Sequence, residues 1–512
     1  MSERRPGELT FPEMLRWAWR QLTSMRTALV LLLLLALAAV PGSVVPQESV
    51  DSLGVTRWKE QHPDLTPVYE KLDLFSVYDS AWFSAIYILL MISLVGCFVP
   101  RILVYWRGLR AQPPAAPRHL TRLPDHATYS TDETADEHRA RAREVLRGRG
   151  YRLRTTGEDD AVSGERGYLR EAGNLVFHVS VLVVLVGFAV GGLFGYKGGV
   201  LLVEGTTFSN SLTQYDDFAP GSLFRAEDME PFSFTVEQFD VDWLESGPRQ
   251  GMAQSFNAGL TYSESPDSPE ENYDLRVNHP LSIGDTEIFL IGHGYAPVVT
   301  IRDGNDKIAK RGPVPFLPED ASFLSFGVIK AQDARPAQLG FEGLFYPTFA
   351  LVKGDPMTVM PEANLPLLSL LVYTGDLGLD TGAAQSVYVL DKSNAEQVKQ
   401  PDGKPFRVDI RPGETVKLPD GLGSITFEGV EPWTRIQISQ TPGKEVALAG
   451  VVLALIGLLA SLFIRPRRVW VRVRREGAGT MVEVAALDRS GNGDMADVLD
   501  GIVAELRRTE QG

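Results

Sequence analysis

The sequence predicts a membrane protein with four transmembrane helices, a large extracytoplasmic β-rich, sandwich-like domain and a small cytoplasmic α/β insertion. Three observations predict it: four long apolar runs, an arginine distribution that changes sharply across them, and short alternating runs between turn signals in the 196–445 region. The 512 residues are 44% hydrophobic and 22% charged, which excludes disorder and a low-complexity fibre. The average conceals apolar runs added to an acidic stretch.

The elements follow in chain order. Residues 1–24 read as a cytoplasmic interfacial helix: Phe11, Leu15, Ala18 and Leu22 recur at helical spacing, Thr10 and Glu13 form a capping box, and Trp17 and Trp19 suit the interface. Residues 25–45 are the first span. A signal peptide is the rival reading, since Ala36-Leu37-Ala38 imitates a cleavage site. Glu3, Glu8 and Glu13 make an unsuitable basic region before it and favour a retained helix. An outer loop (46–81) leads to the second span (82–100), which Pro100 and Arg101 are expected to end.

Residues 101–172 read as the cytoplasmic insertion, with helical spacing over Ala135–Arg147 and strand alternation over Tyr151–Arg154. The third span is 173–195, the β-rich domain 196–445, the fourth span 446–464 and the cytoplasmic tail 465–512. Orientation comes from charge: Arg101 to Arg170 holds fourteen Arg and no Lys, and a second Arg cluster follows Ile464. The positive-inside bias puts both, and both termini, in the cytoplasm.

Strands in the β-rich domain are expected at Phe232–Phe239, Glu287–Ile291, Val298–Arg302 and Ser424–Phe427. The turns are Asp303–Asp306, Pro401–Gly403 and Pro419–Gly421, with a weak lobe boundary at Pro313–Pro318. Acids outnumber bases here about two to one. The acidic excess reads first as solvating the domain; the alternative is that its summed field attracts a basic exported partner.

Chemistry is constrained by what is missing. A net charge of −15, from 65 acids and 50 bases, argues against nucleic-acid binding. One cysteine, Cys97, allows no intramolecular disulfide, CxxC pair, thiolate zinc site or CxxCH haem attachment, and reads as a small core residue. No GxSxG, P-loop, HxxxH or paired-carboxylate signature stands out. His119, His126 and His138 read as surface residues, and His62 as helix-flanking. His279 and His293 read as satisfied histidines at strand ends, with no assigned function.

His178 differs. It lies about one turn inside the third span, where an ionisable side chain is costly and marks a candidate site. At 100° per residue it shares a face with Asn174 and Glu171, while Gly187, Gly191 and Gly195 lie roughly opposite, free to pack on a helix. A neutral imidazole in an apolar bundle suits a haem iron. The bland alternative, hydrogen bonding to a neighbouring helix or snorkelling through Asn174 and Glu171, stays open.

Several stretches, in order, resemble the ResB family of cytochrome c biogenesis proteins (system II), particularly its actinobacterial branch. They are Pro41–Gln47, Trp82-Phe83, Cys97–Arg101, Gly173–His178, Val277–Leu281, Gly292–Pro297, Gly375–Asp380, Pro442–Lys444 and Arg467–Trp470. The resemblance implies a subunit of a membrane cytochrome c synthase complex that exports haem b and presents it to apocytochrome c for covalent attachment. It implies a ResC-like, CcsA-type partner carrying a tryptophan-rich motif, and only indirect thiol-reducing helper proteins. His178 matches the position of a haem-entry axial ligand. Catalysis would belong to the complex. The alternative is a scaffold that holds partner and apocytochrome without ligating haem.

Overall fold

A computed structural model describes residues 10–48, 52–155, 160–244, 246–379, 389–476, 479–489 and 495–508. Glu3, Glu8 and Asp380 lie outside them. The chain forms two compact units, Met1–Val190 with Gly443–Gly512, and Gly191–Pro442.

The helices of the described residues are α1 (Phe11–Leu22), α2 (Met25–Val44), α3 (Ser52–Gln61), α4 (Thr66–Lys71), α5 (Ala81–Arg110), α6 (Ala135–Gly148), α7 (Leu169–Phe194), α8 (Lys444–Phe463) and α9 (Ala496–Arg508). Four of them, α2, α5, α7 and α8, are long and apolar enough to cross a membrane. The Thr10–Glu13 capping box opens α1, with Glu13 accepting from Thr10 at 2.8 Å, and Ser24 caps α2. The expected stop at Pro100 is corrected: α5 continues to Arg110. Proline removes one backbone donor, and Ile102 to Trp106 sustain the apolar helix beyond it.

Between α2 and α5, the buried Gln47 amide organises a loop that also contains α3 and α4. Its Nε2 donates to the Val45 and Leu74 carbonyls at 2.9 and 3.0 Å, and its Oε1 accepts from Val77 N–H at 3.0 Å. One side chain thereby satisfies backbone groups about thirty residues apart, which a burial this complete requires.

The α/β part is not made by residues 101–172 alone. Its sheet has the order Asp125–Thr131, Gly479–Asp488, Arg467–Glu476, Ala161–Arg166, Arg152–Leu153, all antiparallel. The expected tail therefore supplies the two central strands, and α9 packs with α6 on a shared core of Leu146, Val471, Val484 and Ile502. Alternating valines in Arg467–Glu476 face that core while their arginine neighbours pair with Glu165 and Asp160.

In the second unit, two 18-residue strands, Thr286–Asp303 and Gly423–Gln440, pair antiparallel along their length. The first fuses the two separate runs expected at 287–291 and 298–302. These strands form the spine of a seven-stranded sheet. One end packs on the four-stranded sheet through Ile288, Leu290, Phe234 and Leu260. The other packs on the six-stranded sheet through Val299, Ile301, Phe341 and Leu370. Each lobe is thus two layers of sheet around its own core. The lobes join along the long strands and not at Pro313–Pro318, because one ladder, with register shifts at Leu290/Gly292 and Val298/Val299, connects them.

Candidate functional site

Helix α7 is held by small residues. Its buried positions are Gly173, Ser180 and Gly187, seven residues apart, and those of α8 are Ala447, Gly450 and Gly457. A Cβ built on Gly187 would lie 2.7 Å from Ala447 N, and one on Gly457 2.7 Å from Gly173 O, so the backbones touch. Gly187 belongs to the expected glycine face. Gly191 meets Thr441 and Pro442, just before α8, and Gly195 meets Gln440. Sequence reasoning missed Gly173 and Ser180 as packing positions, although the seven-residue spacing was available to find them.

His178 is turned roughly 140° from Gly173 about the helix axis, away from this seam. Its ring lies 4.9 Å from that of Phe98 on α5. Nδ1 is 2.8 Å from the Asn174 carbonyl oxygen. In the neutral ring that bond places the proton on Nδ1, and among the described residues Nε2 then has no hydrogen-bond partner. The same arrangement, one nitrogen anchored and the other free, orients an imidazole for a metal. Asn174 contributes its backbone carbonyl here, and Cys97, next to Phe98, is partly buried.

Towards the α/β sheet, a cavity of about 530 Å³ is lined by Arg101 and Tyr105 of α5, Glu171 of α7, and Glu165, Arg468 and Arg489 of the sheet and its flank. Asn174, Glu171, Arg170 and Arg489 line a smaller adjoining cavity. Glu165 is 5% exposed and held by Arg468 at 3.0 Å, Arg489 at 3.4 Å and Arg152 at 3.5 Å. Arg489 also reaches Glu171 at 3.3 Å. Arg101 donates only to the Met25 sulfur, at 2.7 Å, and has no carboxylate partner among the described residues. Glu171, Asn174 and His178 thus form one strip from a basic cavity to a free imidazole nitrogen.

The other histidines divide cleanly. His119 and His126 are exposed, as expected. His138 is fully buried, which corrects the expected surface position: it bonds Tyr129 Oη at 2.9 Å and Glu133 at 2.8 Å. The spacing His138, Ala142, Leu146 already places it on the core face of α6. His62 follows α3 and stacks on Trp58, and His279 is an exposed turn residue.

His293 is not at a strand end. It lies within Thr286–Asp303, half-buried, with no side-chain hydrogen bond among the described residues and no ring nitrogen among the buried polar atoms left without a partner. Burial pushes its pKa down to about 4. The folded protein therefore favours the neutral ring, so this group's stabilisation is complete above pH 6.5 and lost as pH falls from 6.5 towards 4. The full loss is about 3 kcal/mol. Thermal unfolding of the full chain between pH 7 and pH 4 should show that sensitivity, and His293→Phe should remove its share. An identical pH profile in the variant would contradict the assignment.

Comparison with known proteins places this geometry in a lineage. The profile of the ResB-like family matches residues 25–500. The chain belongs to the ResB-like family. Among its relatives is the cytochrome c biogenesis protein CcsB of Gloeobacter violaceus, 26% identical over 90% of this chain and 85% of that protein. CcsB of Thermosynechococcus vestitus is 23% identical over 88% and 87%. A match to CcsB of Synechococcus sp. strain WH7803, 26% identical, covers 58% of this chain and 65% of that relative. The span of the family match includes all four apolar helices and the strands of both units.

Proposed function

We propose that this ResB-like chain is a subunit of a membrane cytochrome c synthase complex that exports haem b and presents it to apocytochrome c. The names of its relatives place it in cytochrome c biogenesis. The observation that carries the haem role is the free Nε2 of His178, held in a span beside Phe98. The fourteen arginines between Arg101 and Arg170 support an orientation with the α/β sheet and both termini on the cytoplasmic side and the β-rich unit outside. Haem then enters from the arginine-lined cavity. Seven residues of helix separate Glu171 from His178, roughly 10 Å, a span that lets propionates meet Arg101 while iron meets Nε2.

Export needs more than this chain. His178 is the one histidine in the four spans, so a second axial ligand comes from a CcsA-type partner with its tryptophan-rich motif. The acidic outer unit attracts basic apocytochrome through its summed field, an effect that salt weakens. A scaffold that never ligates haem is the second reading, favoured by the His178–Asn174 bond, which also satisfies the imidazole locally.

The test is the haem b content of the complex co-purified with its partner. Arg101→Glu should lower it about tenfold, as one charge-assisted hydrogen bond is worth roughly 1.5–3 kcal/mol. Full haem content in that variant would remove the cavity from the path.

A further inference from the structure

The loop between α2 and α5 has a small core of its own and leaves an apolar face outside it. Trp58 of α3 packs on Tyr69 of α4 and on Phe75, with ring centroids 4.5 and 5.2 Å apart. Lys59 joins the two helices across their polar side, pairing with Glu70 at 3.0 Å. At 100° per residue, Leu65, Val68 and Leu72 fall within about 60° of one another along α4 and its flanks, and Glu70 lies nearly opposite. None of the three enters the aromatic core. They are 46, 53 and 51% exposed, a continuous apolar strip of the kind that marks a contact with something other than water.

The level of this strip is fixed by its bonds to the ends of two spanning helices. Trp82, in the first turn of α5, donates its indole N–H to the Leu72 carbonyl at 3.0 Å. Gln47 ties Val45, just after α2, to Leu74. Tyr78 lies against Gly42 of α2, where a built Cβ would come within 2.8 Å of its ring, and meets Phe83 of α5 edge-on at 5.3 Å. The strip therefore sits beside the last turn of α2 and the first turn of α5, where apolar helix gives way to polar chain. Tryptophan and tyrosine are enriched at that depth, and Trp82 and Tyr78 supply one of each. Val44, largely exposed, ends α2 at the same place.

We propose that Leu65, Val68 and Leu72 form an interfacial anchor that lies in the bilayer at the boundary of headgroups and acyl chains. The occupant of the strip is lipid of the leaflet that surrounds the Val44 end of α2 and the Ala81 end of α5. Continuity favours lipid over a folded partner: the strip extends the apolar surface of two spans that already face hydrocarbon, and it does so beside their aromatic residues. The Lys59–Glu70 pair then faces water. Helix α4 has six residues, too few to be stable alone, but the aromatic core and the Gln47 bonds hold it in shape before lipid is met. The anchor keeps the loop flat against the membrane beside α2 and α5.

The experiment uses the full chain in phosphatidylcholine–phosphatidylglycerol vesicles with Cys97→Ala present, so that one nitroxide can be placed at a time. Labels go on Leu65→Cys, Val68→Cys, Leu72→Cys and, as the opposite face, Glu70→Cys. All four side chains are exposed, and the surface pair lost with Glu70 contributes little to folding. Power-saturation electron paramagnetic resonance then compares collisions with oxygen, which concentrates in hydrocarbon, and with a water-soluble nickel chelate. The expected result is an oxygen-to-nickel collision ratio several-fold higher at Leu65→Cys, Val68→Cys and Leu72→Cys than at Glu70→Cys. Equal ratios at all four positions would overturn the proposal, since the strip would then face water. Labels on the strip shielded from both reagents would also overturn it, because protein, whether a partner or a second copy, would then be the cover.

Discussion

Replacing His178 by alanine is expected to strip haem b from the co-purified complex and to halt cytochrome c maturation while protein levels stay normal. The ring's packing role is small: it is only partly buried, touches Phe98 at 4.9 Å and bonds within its own helix. Its removal costs little stability. Ligation is different, because each 1.4 kcal/mol of lost iron coordination is a factor of about ten in occupancy. Haem content and cytochrome c yield should therefore both fall by about tenfold or more. Equal haem content in the variant would leave the scaffold reading in possession.

The second large effect lies on the opposite face of α7. Gly457→Leu puts a branched side chain where even a Cβ would sit 2.7 Å from Gly173 O. Backbone blocks the way, so one helix must shift. Overpacking of this kind typically costs about 1–3 kcal/mol and displaces its neighbours. Phe177 lies in that contact and His178 follows it in sequence, so the shift also re-aims the imidazole. Expected are reduced protein in the membrane and reduced haem per remaining protein. Leu459→Ala on the exposed part of α8 should change neither. Normal haem content in Gly457→Leu would show that the seam does not set the position of His178.

Much of this arrangement is legible in the sequence for a simple reason. Hydrocarbon imposes an apolar run of spanning length, and no soluble context imitates four of them. His178 stands out for the same reason. The central strands Arg467–Glu476 and Gly479–Asp488 were hidden because pairing with Ala161–Arg166 and Asp125–Thr131 is long-range and leaves no local trace. Their arginines also carried a second meaning, topology, that masked the valine alternation. His138 was hidden by its charged neighbours, although Ala142 and Leu146 mark its face. His293 was hidden by Gly292 and Gly294, which suggest a turn where the structure has a bulge inside a continuous strand.

Chemical rescue tests the central claim most directly. His178→Gly leaves a gap the size of an imidazole while the partner complex and the α7–α8 seam remain. Absorption and electron paramagnetic resonance spectra of the purified complex are recorded before and after free imidazole is added. The expected result is loss of the native iron coordination in the variant and its return with imidazole. Native coordination already present in His178→Gly, before any imidazole, would contradict the assignment of this side chain as the haem ligand.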